Sequence, residues 1–118
     1  MNNIIFYGYP KCSTCIKASK WLDHNNIDYQ HIDIVKEPPS KDILELALLE
    51  FIPDKKKIFN TRGKSYKEKD FDIEKISNKK IIELLSNDGK LIKRPFLIIN
   101  QSKILIGFNE SEYSRNFI

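Results

Sequence analysis

Cys12 and Cys15 stand three residues apart in a chain of 118, and they are its only cysteines. That pairing constrains the chain more than any other feature. A small secreted domain stapled by disulfides carries about four or more cysteines spread along its length, because cross-links replace the core it lacks. Two neighbouring thiols cannot do that. A chain of 118 residues instead reads as one domain, able to bury roughly two-thirds of its unfolded surface. A hydrophobic fraction of 41%, with four Gly and five Pro, excludes a disordered segment. Met1 to Pro10 has neither a basic leader nor an apolar stretch long enough for a signal peptide. Nowhere do roughly 18 apolar residues run together, so no membrane span is expected and the expected location is the cytoplasm. There a CxxC pair is catalytic, regulatory or metal-binding rather than structural.

The residues around the pair set its context. Ile4 to Tyr9 is β-branched and aromatic, is closed by Pro10, and predicts a buried strand. The period then changes. Cys15, Ala18 and Leu22 recur at helical spacing with Trp21 beside them, and Ser13 or Thr14 is the expected cap of a helix running to about Asn25. Asn25-Asn26 turns the chain, and Ile27 to Val35 predicts a second strand. Strand, helix and strand of this length make a right-handed unit with parallel strands. After Pro38-Pro39, Ser40 caps a helix over Lys41 to Phe51 that is apolar on most sides and expected to be well covered; Pro53 ends it. Lys55 to Asp70 predicts a short helix and a loop. Ser77 caps the next helix, with Ile81, Leu84 and Leu85 on one face, before Asn87-Asp88-Gly89 stops it. Pro95 opens Phe96 to Ile99, Asn100-Gln101-Ser102 turns, and Lys103 to Gly107 returns as a hairpin. Asn109 caps a last helix, Glu110 to Asn116. The expected architecture is a single α/β domain over residues 1–118, βαβ then ββα, with a helical insertion at about 38–88.

A cysteine at the start of a helix meets unpaired backbone N–H groups and the positive end of the helix dipole, which stabilise a thiolate. A second cysteine one turn later can attack a mixed disulfide and resolve it. Cys12 is therefore the expected nucleophile and Cys15 the resolving thiol, with Lys11 adding positive charge. Other readings compete. Zinc needs more ligands, and His24 and His31 match no zinc spacing, so no metal is expected. Cys15 also fits as a small hydrophobe on a buried face, which is compatible with resolving. A chance pair of inert thiols is disfavoured by the helix-start position. In a cytosolic protein this placement after the first strand of a βαβ unit resembles a thioredoxin-like redox motif. Arg94-Pro95 fits the same picture, because thioredoxin-like proteins carry a cis peptide at a Pro opening the third strand. Before Pro the cis form costs only about 0.5–1 kcal/mol. The alternative is an ordinary trans Pro beginning an edge strand. Arg94 near Cys12 would offer a planar donor fork to an anion or a glutathione carboxylate.

Over nearly its whole length the chain resembles the arsenate reductase (ArsC)/Spx/MgsR family of thioredoxin-like proteins. The resemblance rests on Tyr9-Pro10-Lys11-Cys12-Ser13-Thr14-Cys15, Glu37-Pro38-Pro39-Ser40, Asn60-Thr61-Arg62-Gly63, Leu91-Ile92-Lys93-Arg94-Pro95 and Gly107-Phe108-Asn109-Glu110. It implies a thioredoxin-like four-stranded mixed sheet with a helical insertion between strands 2 and 3. In the glutaredoxin-linked arsenate reductases of the family, one cysteine attacks arsenate and three arginines hold it. Cys12 matches the cysteine, Arg62 the first arginine and Arg94 the second. The third, expected in the last strand, is missing from Ile104-Leu105-Ile106-Gly107. Losing one charge-assisted donor costs on the order of 1.5–3 kcal/mol of binding. Those enzymes typically lack a cysteine at Cys15, whose presence points toward intramolecular disulfide chemistry. Cys15 and Gly107-Phe108-Asn109-Glu110 resemble the Spx branch, redox-switched regulators that bind the C-terminal domain of the RNA polymerase α-subunit. The chain stops at Ile118, without the basic tail of Spx proteins, and has Phe51-Ile52-Pro53-Asp54 where Spx uses a contact glycine.

Residues 55–69 hold seven Lys and Arg against Glu68 alone, whereas the whole chain is only +4. Such a run reads as a solvated face or as an anion site beside Cys12, with Arg62 pointing inward. No nucleic-acid motif accompanies it, so no direct nucleic-acid partner is expected. The favoured function is a thiol–disulfide oxidoreductase acting on a thiol or disulfide substrate, with Lys11, Arg62, Arg94 and Pro95 around the two cysteines. It needs no bound cofactor; glutathione, or a thioredoxin or glutaredoxin partner, is the expected reductant. The alternatives are an Spx-like regulator and an arsenate reductase.

Overall fold

β-Branched and aromatic runs build the sheet of this computed structural model, which describes residues 3–118. Met1 and Asn2, at the start of the stretch read for a leader and of the expected domain, lie outside them. Strands β1 (Ile4–Gly8), β2 (Gln30–Asp33), β3 (Phe96–Ile99) and β4 (Lys103–Ile106) form one mixed sheet in the order β2-β1-β3-β4. β1 and β2 run parallel, with Ile5 opposite Gln30 and Gly8 opposite Asp33. β1 with β3, and β3 with β4, are antiparallel. The βαβ and hairpin halves expected from the sequence are thus joined through the two central strands.

Alternation along each strand sorts side chains onto two cores. Phe6, Leu97 and Leu105 face one side, where they meet Cys15, Ala18 and Leu22 of α1 (Ser13–His24) and Tyr113 of α5 (Glu110–Phe117). Tyr7, Phe96, Ile98 and Ile104 face the other. There α2 (Lys41–Phe51) contributes Leu44, Ala47 and Leu48, and α4 (Asn78–Asn87) contributes Ile81 and Leu85. Between α2 and α4 lie a 3-10 turn at Lys55–Ile58 and a single-turn helix, α3 (Lys64–Lys67). These are the elements of the expected insertion between strands 2 and 3.

Three expectations need correction. The second strand is Gln30–Asp33, shorter than Ile27 to Val35. At one end the Ile27 N–H donates to Leu22 O and closes α1; at the other the Asp33 carboxylate accepts the Val35 N–H at 2.9 Å and turns the chain. The cap of α1 is neither Ser13 nor Thr14 but Cys12, whose sulfur accepts a backbone N–H. Finally, α2 is not covered all round: Leu49 is 69% exposed, because α2 turns its Leu44, Ala47 and Leu48 side into the core.

Candidate active site

The turn after β1 delivers Cys12 to the mouth of α1. The Cys12 N–H donates to Tyr9 O at 3.1 Å, its backbone is extended (φ −96°, ψ 112°), and its Sγ accepts the Cys15 N–H at 3.2 Å. A sulfur in this position receives the donor that a Ser or Asp cap would normally take. That hydrogen bond is charge-assisted when the sulfur is a thiolate. Cys12 is half-buried. Cys15, one turn on, is only 3% exposed among Ala18, Leu22, Leu97 and Tyr113. Burial first, then the hydrogen bond to the Cys12 sulfur and the charge there, push the Cys15 thiol up to about 12; the Tyr9 backbone and the Arg94 guanidinium pull the other way.

Arg94 lines the same cleft as Cys12. The Arg94-Pro95 peptide is cis, matching the sequence expectation, and a second cis peptide, Ile52-Pro53, follows α2. The Arg94 guanidinium lies 5.0 Å from the centre of the Tyr9 ring, a cation–π contact that holds its plane beside the cysteine turn. One of its nitrogens, Nη1, is buried with no hydrogen-bond partner among the described residues. Pro95 is buried, and its carbonyl accepts the Gly107 N–H at 2.8 Å.

Cys12, Lys11, Arg62 and Arg94 all line one cleft of about 880 Å³, so four of the six expected site residues share a cavity. Cys15 and Pro95 stand behind its surface. Arg62 is exposed at the rim, on the loop that follows the 3-10 turn. The sequence reading placed Lys56 and Lys57 only within a basic run, read as a solvated face or an anion site beside Cys12, and missed other residues of the walls. Lys56 and Lys57 come from the 3-10 turn, Lys93 precedes Arg94, and Phe108 and Asn109 come from the β4–α5 turn. Tyr113 was also missed. Its hydroxyl donates to Gly107 O at 2.9 Å, while Gly107 adopts φ +80°, the left-handed region that favours glycine. Gly107 is thereby clamped between Tyr113 and Pro95. Burial, then Glu112 and Cys15, raise the Tyr113 phenol above its ordinary range, so it stays protonated as a donor. A tyrosine four residues after the capping Asn109 was the available signal. Where the resemblance placed a third arginine, Ile106 and Gly107 line the cleft.

Comparison with known proteins agrees with this construction. The model of the ArsC family matches residues 7–116. YusI of Bacillus subtilis is 39% identical over 117 residues, covering 98% of each chain. The global transcriptional regulator Spx of Streptococcus pyogenes is 36% identical over 104 residues, which cover 87% of this chain and 76% of Spx. The crystal structure of a possible arsenate reductase from Streptococcus mutans superposes with a TM-score of 0.86 at 37% identity, over 99% of this chain and 100% of the other. From the thiol turn to the last helix, this chain belongs to the ArsC family.

Proposed function

We propose that this protein is a thiol–disulfide oxidoreductase in which Cys12 is the nucleophile and Cys15 the resolving thiol. The observation that carries this reading is the Cys15 N–H aimed at Cys12 Sγ at 3.2 Å, with the Cys15 thiol buried one turn behind. The Cys12 thiolate attacks one sulfur of a substrate disulfide. The S–S bond breaks, one half leaves as a thiolate, and the other half stays bonded to Cys12. In that mixed disulfide Cys12 carries no charge, so its part in holding the Cys15 proton disappears. Cys15 then loses its proton to the departing thiolate or to water and attacks the Cys12 sulfur. The second substrate thiol is released and a Cys12–Cys15 disulfide remains. Two electrons have passed to the substrate, and two glutathione molecules or one thioredoxin dithiol return them. Lys11, Arg62 and Arg94 attract an anionic group on the substrate, and Pro95 shapes the wall beside Cys12.

The test is a pair of variants assayed against a small disulfide. Cys12→Ser should abolish turnover. Cys15→Ser should retain the first step and accumulate a mixed disulfide, visible as added mass on the intact protein. Full activity in Cys12→Ser would overturn the assignment. The 36% identity to Spx supports a second reading, a redox-switched regulator that meets the C-terminal domain of the RNA polymerase α-subunit. Pull-down with that domain in the oxidised and reduced states tests it, and capture in neither state removes it.

A further inference from the structure

The disulfide chemistry leaves three cations of the cleft without a task. Lys56 and Lys57 of the 3-10 turn and Lys93 beside Arg94 line the same 880 Å³ cavity as Cys12. With Lys11, Arg62 and Arg94 they make six cationic side chains there against one acid, Asp54. Asp54 reaches only Lys57, at 3.9 Å and with both side chains well exposed. The other ion pairs among the described residues join Lys64 to Glu68, Lys80 to Glu83 and Lys103 to Glu50. Among the described residues, Lys56, Lys93 and the two arginines therefore face the cleft without a carboxylate, and Arg94 Nη1 has no acceptor. Like charges gathered around a low-dielectric wall repel one another and raise the local concentration of anions.

The cationic turn is held in place by backbone. Phe59 pairs antiparallel with Ile92, the Asn60 N–H donates to Leu91 O, and the Lys93 N–H donates to Ile58 O, both at 2.8 Å. Ile58, Phe59 and Ile92 are almost fully buried. This short ladder straps the insertion onto the segment that leads into Arg94-Pro95. Lys56 and Lys57 on the turn and Lys93 on the facing segment thus start from a common rigid base. A cavity of 880 Å³ lies in the upper part of the roughly 300–1,000 Å³ that holds organic ligands. An inorganic oxyanion would fill little of it.

We propose that Lys56, Lys57 and Lys93 form a carboxylate-reading wall that selects disulfides flanked by acidic groups. The inference rests on the oxidoreductase reading and changes only recognition; the bonds broken and formed at Cys12 and Cys15 are those already described. A protein segment with Asp or Glu beside its cystine offers this chemistry, and so does a carboxylate-bearing tripeptide disulfide such as glutathione disulfide.

The experiment compares kcat/KM for an acidic peptide disulfide, a basic one of equal length and glutathione disulfide. Each is measured at low and high salt, in wild type, in Lys56→Gln/Lys57→Gln/Lys93→Gln, and in the control Lys55→Gln/Lys67→Gln. The acidic peptide should exceed the basic one about tenfold or more at low salt. The ratio should shrink as salt screens it and fall several-fold in the triple variant, but not in the control, with what remains carried by Lys11, Arg62 and Arg94. A peptide that outperforms glutathione disulfide identifies a protein substrate; the reverse identifies the tripeptide. Equal rates for acidic and basic peptides, or a preference undiminished in the triple variant, overturn the wall. A second readout separates recognition from chemistry. The double variant Cys12→Ser/Cys15→Ser is titrated with the acidic peptide carrying Ser for its half-cystine, followed by fluorescence anisotropy. Tight, salt-sensitive binding with no turnover of any disulfide would sink the oxidoreductase reading and leave the wall standing. Equal turnover of all disulfides would do the opposite.

Discussion

Cys15 carries the sharpest quantitative consequence of the fold. An ordinary thiol near 9 is about 3% ionised at pH 7.5, whereas a thiol pushed up to about 12 is ionised to only about 3 parts in 100,000. Burial is the larger cause and Cys12 the next, so the free dithiol should react through one sulfur only. The same shift couples to stability. The folded chain keeps the Cys15 proton at pH values where the unfolded chain has lost it. This contribution is therefore complete below about pH 9 and falls away as pH rises toward 12. Two assays check this. Iodoacetamide labelling between about pH 6 and pH 10, read by peptide mass spectrometry, should mark Cys12 and leave Cys15 unlabelled until the chain is unfolded. Denaturant titration between about pH 9 and pH 12 should show wild type losing more stability than Cys15→Ala, the difference isolating this thiol from the buried tyrosines. In Cys12→Ser the labelling of Cys15 should quicken only in part, because burial remains. Labelling of Cys15 as fast as Cys12 in the folded protein near pH 8 would refute the reasoning.

Tyr113→Phe keeps the ring but leaves the Gly107 carbonyl without its buried donor, and should cost about 1–3 kcal/mol in denaturant titration. Gly89→Ala drives a methyl onto the Ile34 carbonyl oxygen and against the Val35 Cα, in backbone that cannot yield easily. A loss of about 3 kcal/mol is expected, read as a lowered Tm. Arsenate turnover coupled to glutaredoxin and glutathione should stay at background, since Ile106 and Gly107 stand where a third arginine would bind the anion. A missing charge-assisted donor of ~1.5–3 kcal/mol lowers affinity about 10- to 150-fold, so robust turnover would contradict this view of the cleft.

What could be read in advance was what is local. Ser40, Ser77 and Asn109 announce helix starts because their short side chains accept an N–H two or three residues on, and each does so here. The runs Ile4 to Tyr9 and Phe96 to Ile99 announce central strands because they are apolar on both faces, though the first strand ends one residue earlier, at Gly8. Cys12 as a cap was hidden by the stronger candidates Ser13 and Thr14 beside it. The length of β2 was hidden because Asp33 ends it with a side-chain hydrogen bond that competes with the strand ladder. Leu49 looked buried because composition cannot tell which flank of a helix meets a neighbour. Arg62 and Arg94 were found by motif. The run holding Lys56 and Lys57 was read as a candidate anion site, but its meeting with Lys93 was not, since that depends on the Phe59–Ile92 pairing, a contact between distant segments that no local spacing encodes.

The two halves of the proposed site are mechanically separable, and that bears on how each can change. Cys15 is buried on the face shared by α1, β3 and α5, among Ala18, Leu22, Leu97 and Tyr113. The cationic turn belongs to the opposite face, where Ile58 and Phe59 pack with Leu44, Ile81 and Phe96. The two meet through residues 91–95, whose backbone carries the strap at one end and Arg94-Pro95 at the other. Substituting an exposed lysine on the turn removes charge without opening the apolar shell of Cys15, so substrate preference can shift while the thiol keeps its proton. A cavity at Leu97 or Leu22 acts the other way, loosening the packing around Cys15 at a cost in stability while the cationic wall stays intact. On the proposed reading, the first cysteine and its helix set what reaction is possible, and the insertion sets which substrate arrives.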